Sequence, residues 1–294
     1  MTTSDGFIIG TTKLVDRGPA VSRWNLVVLG DGYQQDQITK YQKDAQAFVD
    51  HLSHTAPFDE LWDAVNIYRV DVSSTDSGAG DPTACGGSGL AAHTYFDASF
   101  CNYGNRRLLL CNSATALSVA SAQVHEVHNT IVIVHSPVYG GSGGSVATFS
   151  MAQGADEIGI HELGHTAFGF ADEYEYYSGC YSGETGQDTY SGNEPVQPNV
   201  TAQADRATIK WQNLIAATTP TPSTKNTDCT RCDSQASPFP DGTVGAFEGA
   251  YYHHCGAYRP EFNCRMRALN YPFCAVCQQT IRQTLAPFPP SKQV

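Results

Sequence analysis

The segment His161-Glu162-Leu163-Gly164-His165, followed at once by Thr166-Ala167-Phe168-Gly169-Phe170-Ala171-Asp172-Glu173-Tyr174, decides how the rest of the chain is read. On a helix, residues four apart share a face, so His161 and His165 can offer two imidazole nitrogens to one ion. Glu162 sits one position round that face and can take a proton from a water held on the ion. Two histidines at this spacing with a glutamate beside the first form the pattern of a catalytic zinc site with a carboxylate base. Such a pentad also arises by chance, so its neighbours carry the weight.

A catalytic zinc takes three protein ligands and a water. In a continuous helix Asp172 would lie only about 20° round the axis from His161 but about 16 Å further along it, out of reach of the same ion. Gly169 can end the helix, because glycine enters the left-handed conformation without a Cβ penalty. The chain can then turn back and Asp172 completes the set. Glu173 and Glu175 compete with it on spacing alone, and Glu184 or Glu194 would serve if the third ligand came from a later helix.

The chain has 294 residues, a formal net charge of −12 and only 17 Lys plus Arg. That balance argues against nucleic acid or an anionic membrane surface as a partner. No stretch approaches the roughly 18 continuous apolar residues of a membrane helix. Met1 to Gly6 is polar and lacks a signal-peptide pattern, so a secretion signal is expected to be absent or already removed. Ten cysteines stand at 85, 101, 111, 180, 229, 232, 255, 264, 274 and 277, mostly in Gly/Ser/Thr-rich stretches. This usage favours disulfides and an oxidising, extracellular setting. The competing reading takes Cys229-x-x-Cys232 and Cys274-x-x-Cys277 as a structural zinc site, with Cys255 and Cys264 as further partners.

Leu26 to Leu29 is an apolar run closed by Gly30-Asp31-Gly32 and reads as a buried strand. Ile38, Tyr41, Ala45, Phe48, Val49 and Leu52 recur with helical period between Gln34 and His54. Val65 to Val72 alternates, so strand, helix, strand suggests a parallel pair with a helical crossover. Ser73 to Gly104, rich in Gly, Ser and Asp and holding Cys85 and Cys101, reads as a long surface loop stapled by a disulfide, with the connectivity of the cysteines left open. Arg107 to Cys111 suggests a short strand, and Ser113 to Val127 a helix capped by Ser113. Thr130 to Val134 is a buried strand. Ser145 to Phe149 reads either as an exposed edge strand able to pair with an extended peptide or, equally, as an ordinary β-hairpin arm. The active helix spans Ala155 to Phe168, with Gly159 and Gly164 permitting close packing. Beyond Tyr174 periodicity fades, apart from a helix expected at Ala202 to Leu214. The division expected is 1–169 as an α/β lobe and 170–294 as an irregular, cross-linked lobe that completes the zinc site, together one catalytic domain.

With these residues in view, the chain resembles the IgA-peptidase (igalysin) family of zinc metallopeptidases, a branch of the metzincins. The match includes Leu29-Gly30-Asp31-Gly32-Tyr33, Pro57-Phe58, Asn66-Ile67-Tyr68-Arg69-Val70, the His161 to His165 pentad and Ala171-Asp172-Glu173-Tyr174. Trp211, Tyr258-Arg259-Pro260 and Cys264-x-Met266-Arg267 extend it into the last third. The resemblance implies a zincin/metzincin-like α/β fold: a twisted, mostly parallel sheet, a backing helix, the active-site helix and a disulfide-rich C-terminal lobe. It implies one catalytic zinc on His161, His165 and Asp172, Glu162 as general base, and Met266 in the methionine turn beneath the metal. Gly169 and Asp172 each fall one residue later than in the commoner metzincin run, an offset the igalysin-like pattern shares.

The reaction so implied is endopeptidase hydrolysis of protein substrates by a secreted, monomeric enzyme. Tyr258, Arg259, Arg267 and Tyr271 are candidates for steadying the oxyanion, Tyr258 foremost. His253 and His254 are neighbours that cannot share a helical face, and they read as structural. Calcium could be offered many loop carboxylates, but no EF-hand-like spacing supports it. A binding protein on the same scaffold is the alternative from another class, and retention of Glu162 argues against it.

Overall fold

Apolar and alternating runs in the first half of the chain pair into a sheet. In the computed structural model, which describes residues 5–175, 188–230 and 236–288, contacts gather into two units, Met1–Ala167 with Thr284–Val294, and Phe168–Gln283. The first unit holds β1 (Gly6–Val15), β2 (Trp24–Asp31), β3 (Val65–Ser74), β4 (Asn129–Val134), β5 (Gly141–Ser142) and β6 (Ala147–Ser150). Their order in the sheet is β1-β3-β2-β4-β6-β5. The four inner strands run parallel, while β1 and β5 are antiparallel to their neighbours. The class is mixed α/β with a mostly parallel sheet.

Every residue of β2 is buried, as expected for a strand covered on both faces. Helix α1 (Ile38–Ser53) buries Ile38, Tyr41, Ala45, Phe48, Val49 and Leu52, the periodic set visible in the sequence. The Tyr41 hydroxyl donates to the Val28 carbonyl, and Phe48 meets Phe149 of β6 with ring centroids 5.5 Å apart. The single turn α2 (Phe58–Leu61) leads into β3. Alternate residues Val27, Leu29, Val132 and Val134 join the core shared with Ala116, Val119 and Ala120 of α3 (Ser113–Gln123). The loop after β3 is tied by the Cys85–Cys101 disulfide and by Asp31. That buried carboxylate accepts from the Thr94 hydroxyl at 2.8 Å and from the amides of Phe96 and Ala98 at 3.0 Å.

Several local expectations need correction. Asn112, not Ser113, caps α3: its Oδ1 accepts from the Thr115 amide at 3.1 Å. Residues 107–111 form only isolated bridges, Leu108 to Gly141 and Leu110 to Ser99. The strand at 147–150 is not an edge, because β4 flanks it on one side and β5 on the other. The outer side of β5 is itself engaged, with the Gly141 amide donating to the Arg107 carbonyl at 3.2 Å. Strand β1, which alternates in exposure over Gly6 to Thr11 only, has no counterpart in the sequence reading.

Helix α4 (Ala155–Phe168) completes the first unit's elements. Its Glu157 meets His51 of α1 at 2.8 Å, and Gly159 lies against the Phe149 ring.

The second unit has a two-stranded antiparallel sheet, β7 (Phe247–Ala250) and β8 (His253–Arg259), and helix α5 (Ala275–Leu285). The helix expected at 202–214 is replaced by turns and a 3-10 turn at Gln212–Leu214. Side chains there are committed to carbonyls elsewhere in the unit. Lys210 donates to Gln197 and Val200, the Trp211 indole to Gly245, and Arg206 to Ile215. Cys229 and Cys255 form a disulfide, so neither is available to a zinc site. Cys180, Cys232 and Glu184 lie outside the described residues.

Candidate metal centre

The helix α4 ends where the sequence suggests. Phe168 is its last residue, and Gly169 follows with φ +65°, the left-handed stop that lets the chain turn. One turn apart on this helix, the His161 and His165 rings stand edge to face, centroids 4.8 Å apart, with their Nε2 atoms 3.1 Å from each other. Two nitrogens bound to one tetrahedral zinc at about 2.0–2.1 Å would be separated by about 3.3 Å. Asp172 follows beyond the Gly169 stop, at the start of the second unit, and is itself buried. Two imidazoles and a carboxylate are a donor set suited to zinc.

Glu162 is 9 % exposed. Strand β5 and the residue after it press closely on this part of α4. A Cβ at Gly141 would stand 2.7 Å from Glu162 Oε1, and one at Gly143 would stand 2.2 Å from His165 Cβ. The glycine-rich segment 140–144 is therefore a packing surface that sets the Glu162 and His165 side chains, where the sequence suggested only a flexible connection. Replacing Gly143 by Ala should cost about 1–3 kcal/mol through overpacking. It should also displace His165, so zinc affinity should fall together with the melting temperature. A variant with wild-type melting temperature and zinc affinity would contradict this contact.

Asp172 is buried and held by its own unit. Tyr252 donates its hydroxyl to Asp172 Oδ2, and the Tyr251 amide donates to the Asp172 carbonyl at 3.1 Å. Tyr251 and Tyr252 are the two residues of the β7–β8 turn, both at positive φ, +56° and +66°. A two-residue hairpin of this hand matches the twist of its strands but usually recruits Asn or Gly. Tyrosine there costs about 1–2 kcal/mol per residue, a strain of the kind stored at functional sites. Asn199, fully buried, brackets the preceding residue: it accepts from the Ala171 amide at 2.8 Å and donates back to the Ala171 carbonyl at 2.9 Å. The sequence singles out neither Tyr252 nor Asn199, because nothing local marks a partner 80 or 28 positions away.

The rival carboxylates are engaged elsewhere in the second unit. Glu173 accepts from the Asn199 side chain at 2.8 Å, and its amide donates to the Met266 carbonyl at 2.8 Å. Met266 is itself fully buried. Glu175 meets His254 Nδ1 at 3.2 Å and Arg267 at 3.4 Å. Burial alone would raise the Glu175 carboxyl, but the His254 hydrogen bond and the charges of Arg259 and Arg267 hold it below its ordinary value. Glu194 pairs with Lys210 at 3.1 Å.

The oxyanion candidates are built into the unit's own framework. Tyr258 donates to Glu248 at 3.3 Å, and burial with the nearby Glu248 charge pushes its phenol up to about 12. Buried Arg259 binds the carbonyls of Glu248 and Gly249. Arg267 bonds Asn263 at 2.8 Å, and Tyr271 is 38 % exposed. Of the adjacent histidines, His254 is fully buried against Glu175 and Asn226, and His253 meets the Tyr251 carbonyl at 2.6 Å.

A family model described as IgA Peptidase M64 matches residues 12–237 and 234–285 of the chain. No curated protein matches it.

Proposed function

Because the chain belongs to the IgA Peptidase M64 family, a peptidase family acting on proteins or peptides, we propose that it is a secreted zinc-dependent endopeptidase with a metzincin-like catalytic centre. His161, His165 and Asp172 are its zinc ligands, Glu162 its general base, and Met266 the methionine of the turn behind the site. The observation that supports this reading is the pair of Nε2 atoms on α4, 3.1 Å apart, close to the spacing of two nitrogens on one zinc. The two disulfides among the described residues are compatible with an extracellular setting, and among those residues no helix is long and apolar enough to cross a membrane. The expected lobes, 1–169 and 170–294, are proposed to make up one catalytic domain.

Bound zinc would supply polarisation of a water and of the scissile carbonyl. The chain's own residues do the rest. Glu162 takes the proton of the attacking water and returns it to the leaving amine, one carboxylate serving as base and then acid. Gly141, packed against Glu162, keeps that carboxylate from swinging away from the histidine face. Tyr252 holds Oδ2 of Asp172 and so orients the third ligand, a role that outer hydrogen bonds commonly play around metals.

Hydrolysis of a quenched casein substrate by the purified chain, with zinc measured in the same sample, tests the proposal. Cleavage internal to the polypeptide and about one catalytic zinc per chain are expected. Cleavage that persists after all zinc is lost would overturn it. Tyr252→Phe should fold normally and bind zinc about 10–100-fold more weakly, read by competition with a chromophoric chelator. Unchanged affinity would remove Tyr252 from the site.

A further inference from the structure

The second unit contains another convergence of metal-ligating groups, unrelated to the histidine pair. Glu173, Cys264, Cys274 and Cys277 are all buried, and one ligand atom from each lies within 4.8 Å of the others. Cys274 and Cys277 place their sulfurs 3.9 Å from Glu173 Oε1. Around a tetrahedral zinc with Zn–S near 2.3 Å and Zn–O near 2.0 Å, the S···O edge is about 3.5 Å and the S···S edge about 3.8 Å. The group is thus a slightly expanded coordination shell.

Three further observations point to an ion. Glu173 is fully buried, yet its Oε2 has no hydrogen-bond partner, a cost of several kcal/mol for an ionised carboxylate unless something else compensates it. Backbone amides are aimed at the sulfurs. Met266 and Cys274 donate to Cys264 Sγ at 3.5 and 3.3 Å, and Cys277 donates to Cys274 Sγ at 3.4 Å. Amides so placed favour thiolates and orient them, as the outer hydrogen bonds of metal sites do. Finally, disulfides cannot consume the cluster. Cys264, Cys274 and Cys277 are all unpaired, although Cys85–Cys101 and Cys229–Cys255 are oxidised. Three thiols cannot pair off among themselves.

We propose that Cys264, Cys274, Cys277 and Glu173 bind a second, structural zinc through three thiolates and one carboxylate. Four protein ligands close the shell, leaving no position for a reacting water, so this ion holds structure and does no chemistry. The sequence offers Cys274-x-x-Cys277 as a zinc half-site with Cys229-x-x-Cys232, and Cys255 and Cys264 as further partners. Of these Cys264 joins it here, Cys229 and Cys255 form a disulfide, and the fourth ligand is Glu173. The consequence reaches the catalytic ligand within the same unit. Glu173 is the residue after Asp172, Cys264 lies two before Met266, and Cys277 lies in the first turn of α5. One ion therefore ties the Asp172 segment, the Met266 turn and α5 into a single clamp.

This inference is independent of the peptidase reading. The test is zinc content and zinc K-edge X-ray absorption on the freshly purified full chain and on His161→Ala/His165→Ala. Expected are about two zinc ions per wild-type chain and about one in the double variant, the retained ion surrounded mainly by sulfur at about 2.3 Å. A double variant free of zinc, or one whose zinc shows only nitrogen and oxygen neighbours, would overturn the proposal. So would a disulfide between any two of the three cysteines in unreduced peptide maps of the same sample. Cobalt loading of the double variant gives a second readout that needs no cysteine substitution. A thiolate-to-cobalt charge-transfer band is expected, and its absence would count against the site. A wild type without peptidase activity that still carries sulfur-bound zinc would contradict the catalytic proposal and leave this one standing.

Discussion

Glu162→Gln is expected to lower peptide hydrolysis by about 10²–10⁴-fold, the usual contribution of a positioned general base. The substitution keeps the shape of the side chain against Gly141, where Glu162 Oε1 would stand 2.7 Å from an added Cβ. It leaves His161 and His165 untouched. Zinc content and melting temperature should therefore match wild type, and the loss should fall on kcat, because an amide can neither accept the proton of the water nor return it to the amine. A Gln variant within about tenfold of wild type would remove Glu162 from the chemistry. Equal loss of zinc and activity would make it a structural residue instead.

Asp172→Ala should weaken zinc binding by at least about 100-fold, more than loss of an outer hydrogen bond, because a ligand itself is removed. The destabilisation should exceed that of a surface substitution. The Tyr252 hydroxyl loses its acceptor, and the hairpin turn at Tyr251 and Tyr252, held at positive φ, keeps its backbone bond to residue 172 but loses this side-chain tie. Glu173 cannot step in, since Asn199 and the Met266 carbonyl hold that residue, nor can Glu175, which is bound to His254 and Arg267. Isothermal titration of metal-free chain with zinc reads the effect directly. Wild-type affinity in Asp172→Ala would require another third ligand.

The parts of the fold that repeat a local rule could be read from the chain. The helix α1 declares itself because six apolar residues recur at helical spacing, and all six are buried. Helix α4 is framed by the pentad and by Gly169, whose positive φ ends it. What escaped reading depends on distant partners. Residues 202–214 have helix-forming content, yet Arg206 and Lys210 serve carbonyls on the flanking loops and Trp211 the distant Gly245 carbonyl, and the segment follows those bonds instead. Helix α5 was hidden because Cys274 and Cys277 read as cross-link cysteines, although Cys277, Ile281 and Leu285 make a buried stripe at four-residue spacing. Capping of α3 by Asn112 was missed by one position. At the candidate site, His161, Glu162 and His165 fall within one five-residue run, a pattern visible in the sequence. Tyr252, Asn199 and the placing of Glu173 among the sulfurs depend on tertiary structure, whereas the Cys274-x-x-Cys277 spacing, with Cys264 as a further partner, already suggests a metal site.

The most direct test of the central claim is removal and return of zinc, followed on quenched casein with wild type and Glu162→Gln in parallel. Chelation should abolish wild-type cleavage, and stoichiometric zinc should restore it. The Gln variant should take up the same zinc and stay at least about 100-fold slower. Wild-type cleavage that survives chelation, or zinc-restored cleavage equal in both proteins, would contradict a zinc peptidase that uses Glu162 as its base.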